Sequence, residues 1–368
     1  MPDLTEQARR IHANLPVVDG HNDLPWALRI RAASNLDQSD PCTSLDGYHT
    51  DVPRLAAGGV GAQFWSVFAP AWDPSPFRTT VEQIDLVRRM TERCDRLAHA
   101  DSAVDVAGTR ARGITASLMG AEGGHSIENS LPALRVLRRL GVRYLTLTHA
   151  DTTDWADSAT DEARHGGLTD FGEEVVREMN RIGMIIDISH VSADTMRHAL
   201  SVSDRPVMAS HSSAFALAPH PRNVPDDVLE TIRANDGVVM TNFYPPFVSR
   251  AGAEQSIGRF AVARDLMDRL QDDAAVEAEL GRMLELDPYP EVTVSDVADH
   301  IEHIAEVAGV DHVGIGSDFD GVEVTPVGLE DVSTYPAITV ELLARGWQEP
   351  DIRKVLGENA LRVLAAND

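Results

Sequence analysis

Along most of the chain, short apolar runs alternate with stretches whose apolar residues recur every three or four positions. Eight runs predict β-strands: 16–21 (PVVDGH), 60–67 (VGAQFWSV), 114–121 (ITASLMGA), 143–148 (RYLTLT), 184–189 (MIIDIS), 206–210 (PVMAS), 237–243 (GVVMTNF) and 312–317 (HVGIGS). They are mostly apolar without clean alternation, the pattern of parallel strands covered on both faces. Helical spacing marks segments near 80–99, 131–140, 171–181, 192–203, 226–235 and 295–308, and helices at 334–346 and 349–365 close the chain. In ENSLPALRVLRRLGV, for example, the leucines and valines fall at helical spacing, Pro132 stands early and Gly141 follows the end. Eight strands in βα alternation predict an α/β fold, a (β/α)8 TIM-like barrel. A doubly wound open sheet is the competing arrangement, and the lack of a G-x-G-x-x-G after the first strand counts against it.

Residues 250–292 break this rhythm. RDLMDRLQDDAAVEAELGRMLELDP is acidic, helical and long, a helical insertion between the seventh and eighth strands. It reads as a solvated helical hairpin, with a lid over the catalytic face of the barrel as the alternative. No internal repeat or low-complexity linker divides residues 1–368, so one domain is expected.

Composition narrows the classes. Apolar residues make up 43% of the chain, enough for a globular core, and no run of 18 apolar residues marks a membrane span. The polar start, MPDLTEQARRIHANLP, has no apolar leader segment. Cys42 and Cys94 are too few for a disulfide framework and read as two free thiols of a cytoplasmic protein. A net charge of −26 disfavours nucleic acid and anionic membranes as partners. Lys354 is the one lysine among 32 basic residues, and it falls in the last predicted helix. Schiff-base, pyridoxal phosphate and carboxylated-lysine chemistry therefore have no well-placed amine.

The chemistry-bearing residues gather at the carboxyl ends of the predicted strands. The first strand ends in His21 and Asp23, two apart on an extended segment and so facing the same way. The third runs into Glu122, the fourth into His149, the fifth into His190, the sixth into His211 and the eighth into Asp318. A lone histidine after a strand is usually a packing or capping residue, but here six of eight strands deliver a titratable group to the end where barrel enzymes keep their active sites. His21, Asp23, His190 and His211 are ligands that borderline and hard divalent metals accept. With Glu122 they exceed the four that one zinc takes, which points to two metals sharing a bridging anion. Glu122 fits the bridge, because a carboxylate has two oxygens to share and no lysine stands at a strand end. A dinuclear site generates a hydroxide near neutral pH and polarises a carbonyl. Asp318 then suits proton transfer from that hydroxide to a leaving amine, with Asp320 as a rival just past the strand, and His149 suits donation to a developing oxyanion. Arg222, in the proline-flanked loop APHPRNVPD, is a candidate two-pronged clamp for a substrate carboxylate.

The segments DGHNDLPW, GAEGGHS, LTLTHAD, DISHVS, ASHSSA, HPRNVPDD and GSDFDG, in this order, closely resemble the renal (membrane) dipeptidase family of zinc metallopeptidases in the amidohydrolase superfamily. The similarity runs from about residue 14 to the end. It implies a TIM-like barrel with two zinc ions: His21 and Asp23 on one, His190 and His211 on the other, and Glu122 bridging. His149 would hold the scissile carbonyl oxygen, Arg222 the carboxylate of a dipeptide, and Asp318 the shuttled proton. Tyr244, in FYPPF after the seventh strand, is a further expected substrate contact, while Phe247 stands where the mammalian relatives would have a second tyrosine. Those relatives are secreted, disulfide-bonded and lipid-anchored, features that this sequence does not display.

The expected activity is hydrolysis of free dipeptides, L-D dipeptides included, by attack of a metal-bridging hydroxide. The partner is then a small-molecule dipeptide, with neither nucleic acid nor membrane, and a homodimer is the family's implication. Another amidohydrolase-type reaction, on a lactone, a phosphotriester or an N-acyl amino acid, would use the same metals. A barrel that only binds a ligand is the remaining alternative, disfavoured by the complete set of ligands and acid/base groups.

Overall fold

The computed structural model describes residues 3–15 and 17–368; Pro16, where the first strand is expected to begin, lies outside them. The strands are β1 (Val17–Asn22), β2 (Val60–Ser66), β3 (Leu97–His99), β4 (Thr115–Glu122), β5 (Val142–Thr146), β6 (Ile185–Asp187), β7 (Met208–Ala209), β8 (Val238–Thr241) and β9 (Val313–Ile315). Neighbours pair in parallel in the order β2-β1-β9-β8-β7-β6-β5-β4, and β2 pairs with β4 to close the ring. The result is a (β/α)8 TIM-like barrel of eight strands. Apart from β3, every residue in these strands is buried, which explains why they read as unbroken apolar runs.

The ninth strand, β3, corrects the expected helix over 80–99. That helix spans Pro76–Arg93, and Leu97–His99 then pairs with Thr115–Ser117 at the start of β4. β5 meets β4 only from Met119 onward, so β3 occupies an edge that β5 leaves open. The expected terminal helix over 349–365 is also interrupted, with a wide turn at Lys354–Glu358 between Glu349–Arg353 and Asn359–Ala366. Gly357 in this turn lies so close to β1 that a Cβ there would stand 2.7 Å from Val18.

Cys42 and Cys94 form a disulfide, which overturns the expectation of two free thiols. It ties the loop after the helix Leu24–Ala32 to the end of the helix Pro76–Arg93. For a loop of this size the chain-entropy account gives a contribution of about 4 kcal/mol. The expectation of a cytoplasmic setting rested partly on free thiols and loses that support. No helix among the described residues is long and apolar enough to cross a membrane.

The residues 250–292 are helical as expected, with helices at Arg250–Leu270 and Asp273–Leu286 between β8 and β9. Lys354 lies at the other end of the barrel, 2.8 Å from Asp311, which precedes β9 just as Asp318 follows it.

Candidate active site

The carboxyl ends of the strands bring His21, Asp23, Glu122, His149, His190, His211 and Asp318 together. Their ligand atoms form three overlapping groups, each within 4.8 Å: His21, Glu122 and His211; Glu122, His149 and His190; and His21, Asp23 and Asp318. Glu122 is shared between the first two and His21 links them to the third.

Glu122 divides its oxygens. Oε2 accepts a bond from Ser66 at 2.9 Å and lies 3.4 Å from His21 Nε2. Oε1 lies 3.0 Å from His190 Nε2, 3.5 Å from His211 Nε2 and 3.9 Å from His149 Nε2. The His190 and His211 Nε2 atoms are themselves only 2.9 Å apart. Two positions are held at a backbone cost: His190 and Asp318 adopt left-handed φ values of 65° and 68°. Such conformations are unfavourable for non-glycine residues and persist where the surroundings impose them.

Each buried ring is fixed from behind. His21 Nδ1 lies 2.8 Å from the Tyr144 hydroxyl, which donates to the Gly20 carbonyl at 3.2 Å. Nδ1 is thereby engaged from behind, and Nε2 is the ring nitrogen left to face the cluster. That Nε2 is buried without a hydrogen-bond partner and faces Asp23 Oδ2 at 3.2 Å and Glu122. A ring nitrogen held against two carboxylates has a cation as its natural complement, a metal on its lone pair or a proton in its place. His211 shows the same arrangement: Nδ1 is 2.7 Å from Ser210 Oγ, which donates to Asp187 Oδ2 at 2.7 Å. These relays are the outer contacts that orient metal-binding imidazoles, and the donor set therefore fits divalent metals.

The electrostatics agree. Burial lowers the proton affinity of His21, yet Tyr144, Glu122 and Asp23 outweigh it and lift the ring well above its ordinary range. Burial, with Arg222 and the neighbouring histidines, holds His190 and His211 well below theirs. Burial also brings His149 down to about 4. Asp318 is pushed up to about 7, first by burial and then by Asp23 and Glu122, against the pull of His21. Asn242 donates to its Oδ2 at 2.8 Å. The rival Asp320 is turned away, with Oδ1 accepting from the His49 backbone at 2.8 Å.

Arg222 is 1% exposed. Its guanidinium makes two long bonds of 3.3 Å, to Ser212 Oγ and the His211 carbonyl, and its Nε has no partner. Phe247 lies beneath it, 5.1 Å from Cζ to the ring centroid. Tyr244 packs its ring on Phe247, while its hydroxyl turns to Glu323 at 3.1 Å and Tyr289 at 3.4 Å rather than to the carboxylate and histidine cluster.

A model of the membrane dipeptidase family (peptidase family M19) matches residues 5–368. The chain belongs to this family. It is 39% identical to the dipeptidase verJ of Clonostachys rogersoniana over 378 residues, 99% of this chain and 87% of that protein. The crystal structure of dipeptidase AC, a family M19 metallopeptidase, superposes with a TM-score of 0.79 at 28% identity, over 96% of this chain and 98% of that one. A metallopeptidase from Rhodobacter sphaeroides, liganded with a phosphinate mimic of the dipeptide L-Ala-D-Ala, gives 0.78 at 26% identity, over 96% and 99% of the two chains. The protein is thus a metal-dependent dipeptidase, a hydrolase of peptide bonds, and its clustered histidines and carboxylates are groups that could hold the metal.

Several residues around this dipeptidase cluster escaped the sequence reading. Tyr144 reaches His21 only because Gly120 leaves room: a Cβ there would lie 1.9 Å from the tyrosine ring. Asp19 accepts from Ser317 Oγ at 2.7 Å and Tyr335 OH at 2.5 Å, locking β1 to the end of β9. Asp187 accepts from Thr146 and Ser210, locking β6 to its neighbours. Their signal was an aspartate inside an apolar strand, in VVDGH and IIDIS. Tyr144→Phe is expected to weaken metal binding about 10–100-fold, the range for such outer contacts. Metal titration of the stripped protein tests this, and wild-type affinity would show the hydroxyl to be dispensable.

Proposed function

We propose that this chain is a binuclear zinc dipeptidase acting on free dipeptides, L-D dipeptides included. His21 and Asp23 would hold one ion, His190 and His211 the other, and Glu122 both. The observation that carries this reading is the division of Glu122, with one oxygen facing His21 and the other facing His190 and His211. When bound, the ions supply a water made nucleophilic near neutral pH and a Lewis acid for the carbonyl.

The chain's own residues supply the rest. Arg222 is a buried cation, and none of the ion pairs among the described residues involves it. A substrate carboxylate repays its desolvation with charge-assisted bonds and fixes the second residue of the dipeptide. His149, held neutral by burial, donates a hydrogen bond to the carbonyl oxygen as negative charge develops there. Asp318, brought by burial near neutrality, takes the proton of the attacking water and delivers it to the departing amine. Binding of the L-Ala-D-Ala mimic by the Rhodobacter sphaeroides metallopeptidase supports acceptance of a D-residue at the second position.

A dipeptide library varying both residues and the chirality of the second, with zinc content measured on the same sample, tests this. Turnover of L-L and L-D dipeptides at two zinc ions per chain is expected. Faster turnover of lactones, phosphotriesters or N-acyl amino acids would overturn it, and failure on every L-D pair would remove the D-residue claim.

Arg222→Met is expected to raise KM for dipeptides by about two orders of magnitude, roughly 3 kcal/mol, in line with removing one member of a buried charge pair. Dipeptide amides, which lack the carboxylate, should be equally poor substrates for wild type and variant. Kinetics on matched acids and amides decide it, and an unchanged KM for the acid would remove Arg222 from substrate binding.

A further inference from the structure

The insertion between β8 and β9 leaves the barrel from the short helix Pro245–Val248, just past β8. Its second helix packs against Leu24–Ala32, the helix that follows β1. From its first helix, Arg264 reaches the loop that follows β5. There the guanidinium donates to the carbonyls of Ala150, at 3.2 Å, and Thr160, and pairs with Asp161 at 3.0 Å and Asp151 at 3.4 Å.

Around the barrel the strands run β1, β2, β4, β5, β6, β7, β8, β9. β5 therefore stands halfway round from β9, the strand that separates β8 from β1. A segment anchored beside β8 and β1 that also grips the loop after β5 links elements from opposite sides of the ring.

The gripped loop is the one that carries His149. Ser158 Oγ donates to the His149 carbonyl at 2.7 Å, and Thr160 Oγ1 donates to the Ala150 carbonyl at 3.0 Å. Arg264 thus binds the residues immediately after His149 and the strand of loop that braces them. At the base of the insertion, Arg259 pairs with Asp287 at 2.6 Å and stacks on Tyr289, whose hydroxyl meets Tyr244. A planar, five-donor guanidinium suits a latch on two carbonyls and two carboxylates, which the point charge of a lysine cannot reproduce.

We infer that the insertion roofs the substrate site, and that Arg264 is the specificity-determining latch that limits substrates to two residues. The inference rests on the reading above that Arg222 holds the substrate's carboxylate. A peptide anchored there can lengthen only at its amino end, which leads past the cluster to the mouth and meets the roof.

The test compares L-Ala-L-Ala with L-Ala-L-Ala-L-Ala on the metal-loaded enzyme and on Arg264→Ala and Arg264→Lys, alongside hydrogen exchange of each protein. In Arg264→Ala the dipeptide-to-tripeptide ratio of kcat/KM is expected to fall at least tenfold, chiefly by gain on the tripeptide. Exchange should rise together in 250–286 and 150–161, with Arg264→Lys intermediate in both readouts. An unchanged ratio, or an equal loss on both peptides, would overturn the role in specificity. Exchange that rises in 250–286 alone would overturn the latch. A wild type that cleaves neither peptide would count against the proposed activity, and the exchange result would still decide the latch.

Discussion

Asp318→Asn is expected to lower kcat by about two to four orders of magnitude, the usual worth of a positioned proton-transfer group, with metal content unchanged. Asparagine has the same shape, can still accept the bond from Asn242, and tolerates the left-handed backbone at this position better than most residues do. What it cannot do is take up a proton and hand it on. Asp318 also lies in one group with His21 and Asp23, so the zinc content of the kinetic sample is the deciding measurement. Retained metal with lost turnover is the expected result. Loss of metal together with turnover would make Asp318 a ligand and leave the proton shuttle unassigned.

Glu122→Ala is expected to act in the opposite order, with metal leaving first and activity following. The carboxylate faces His21 through one oxygen and His190 and His211 through the other, so its removal weakens both positions at once. Altering a partner that merely orients a ligand costs 10–100-fold in metal affinity, so loss of a shared ligand should exceed a hundredfold at each position. A metal that binds only the folded chain stabilises it by mass action, so zinc should raise the melting temperature of wild type and leave the variant almost unmoved. Elemental analysis after dialysis and melting curves with and without zinc check both statements. Two zinc ions retained in Glu122→Ala would remove the bridging assignment.

The barrel was legible because its strands are buried on both faces and so stand out as apolar runs. The cluster was legible because its side chains come directly after those runs. β3 was not: three residues, LAH, with a half-buried alanine and an exposed histidine, carry no period that distinguishes a strand from the tail of a helix. The disulfide was missed because its cysteines are 52 residues apart and only the fold brings them together. Tyr144, Asp19 and Asp187 were hidden for a related reason. They sit within strands, where a polar atom looks like an irregularity until its partner on another strand is seen. The insertion was recognised as helical, but its contact with the loop after β5 joins distant parts of the chain, which no local pattern contains.

The single lysine has a practical consequence. Lys354 sits beside Asp311, at the end of β9 remote from Asp318, with about a third of its side chain accessible. Reagents that attack amines find no other side-chain target. Apart from the chain terminus, coupling to an activated bead or sensor chip would tether every molecule by the floor of its barrel. A surface loaded in this way would present its catalytic openings uniformly outward, with no engineered tag and no amine chemistry near the histidine and carboxylate cluster.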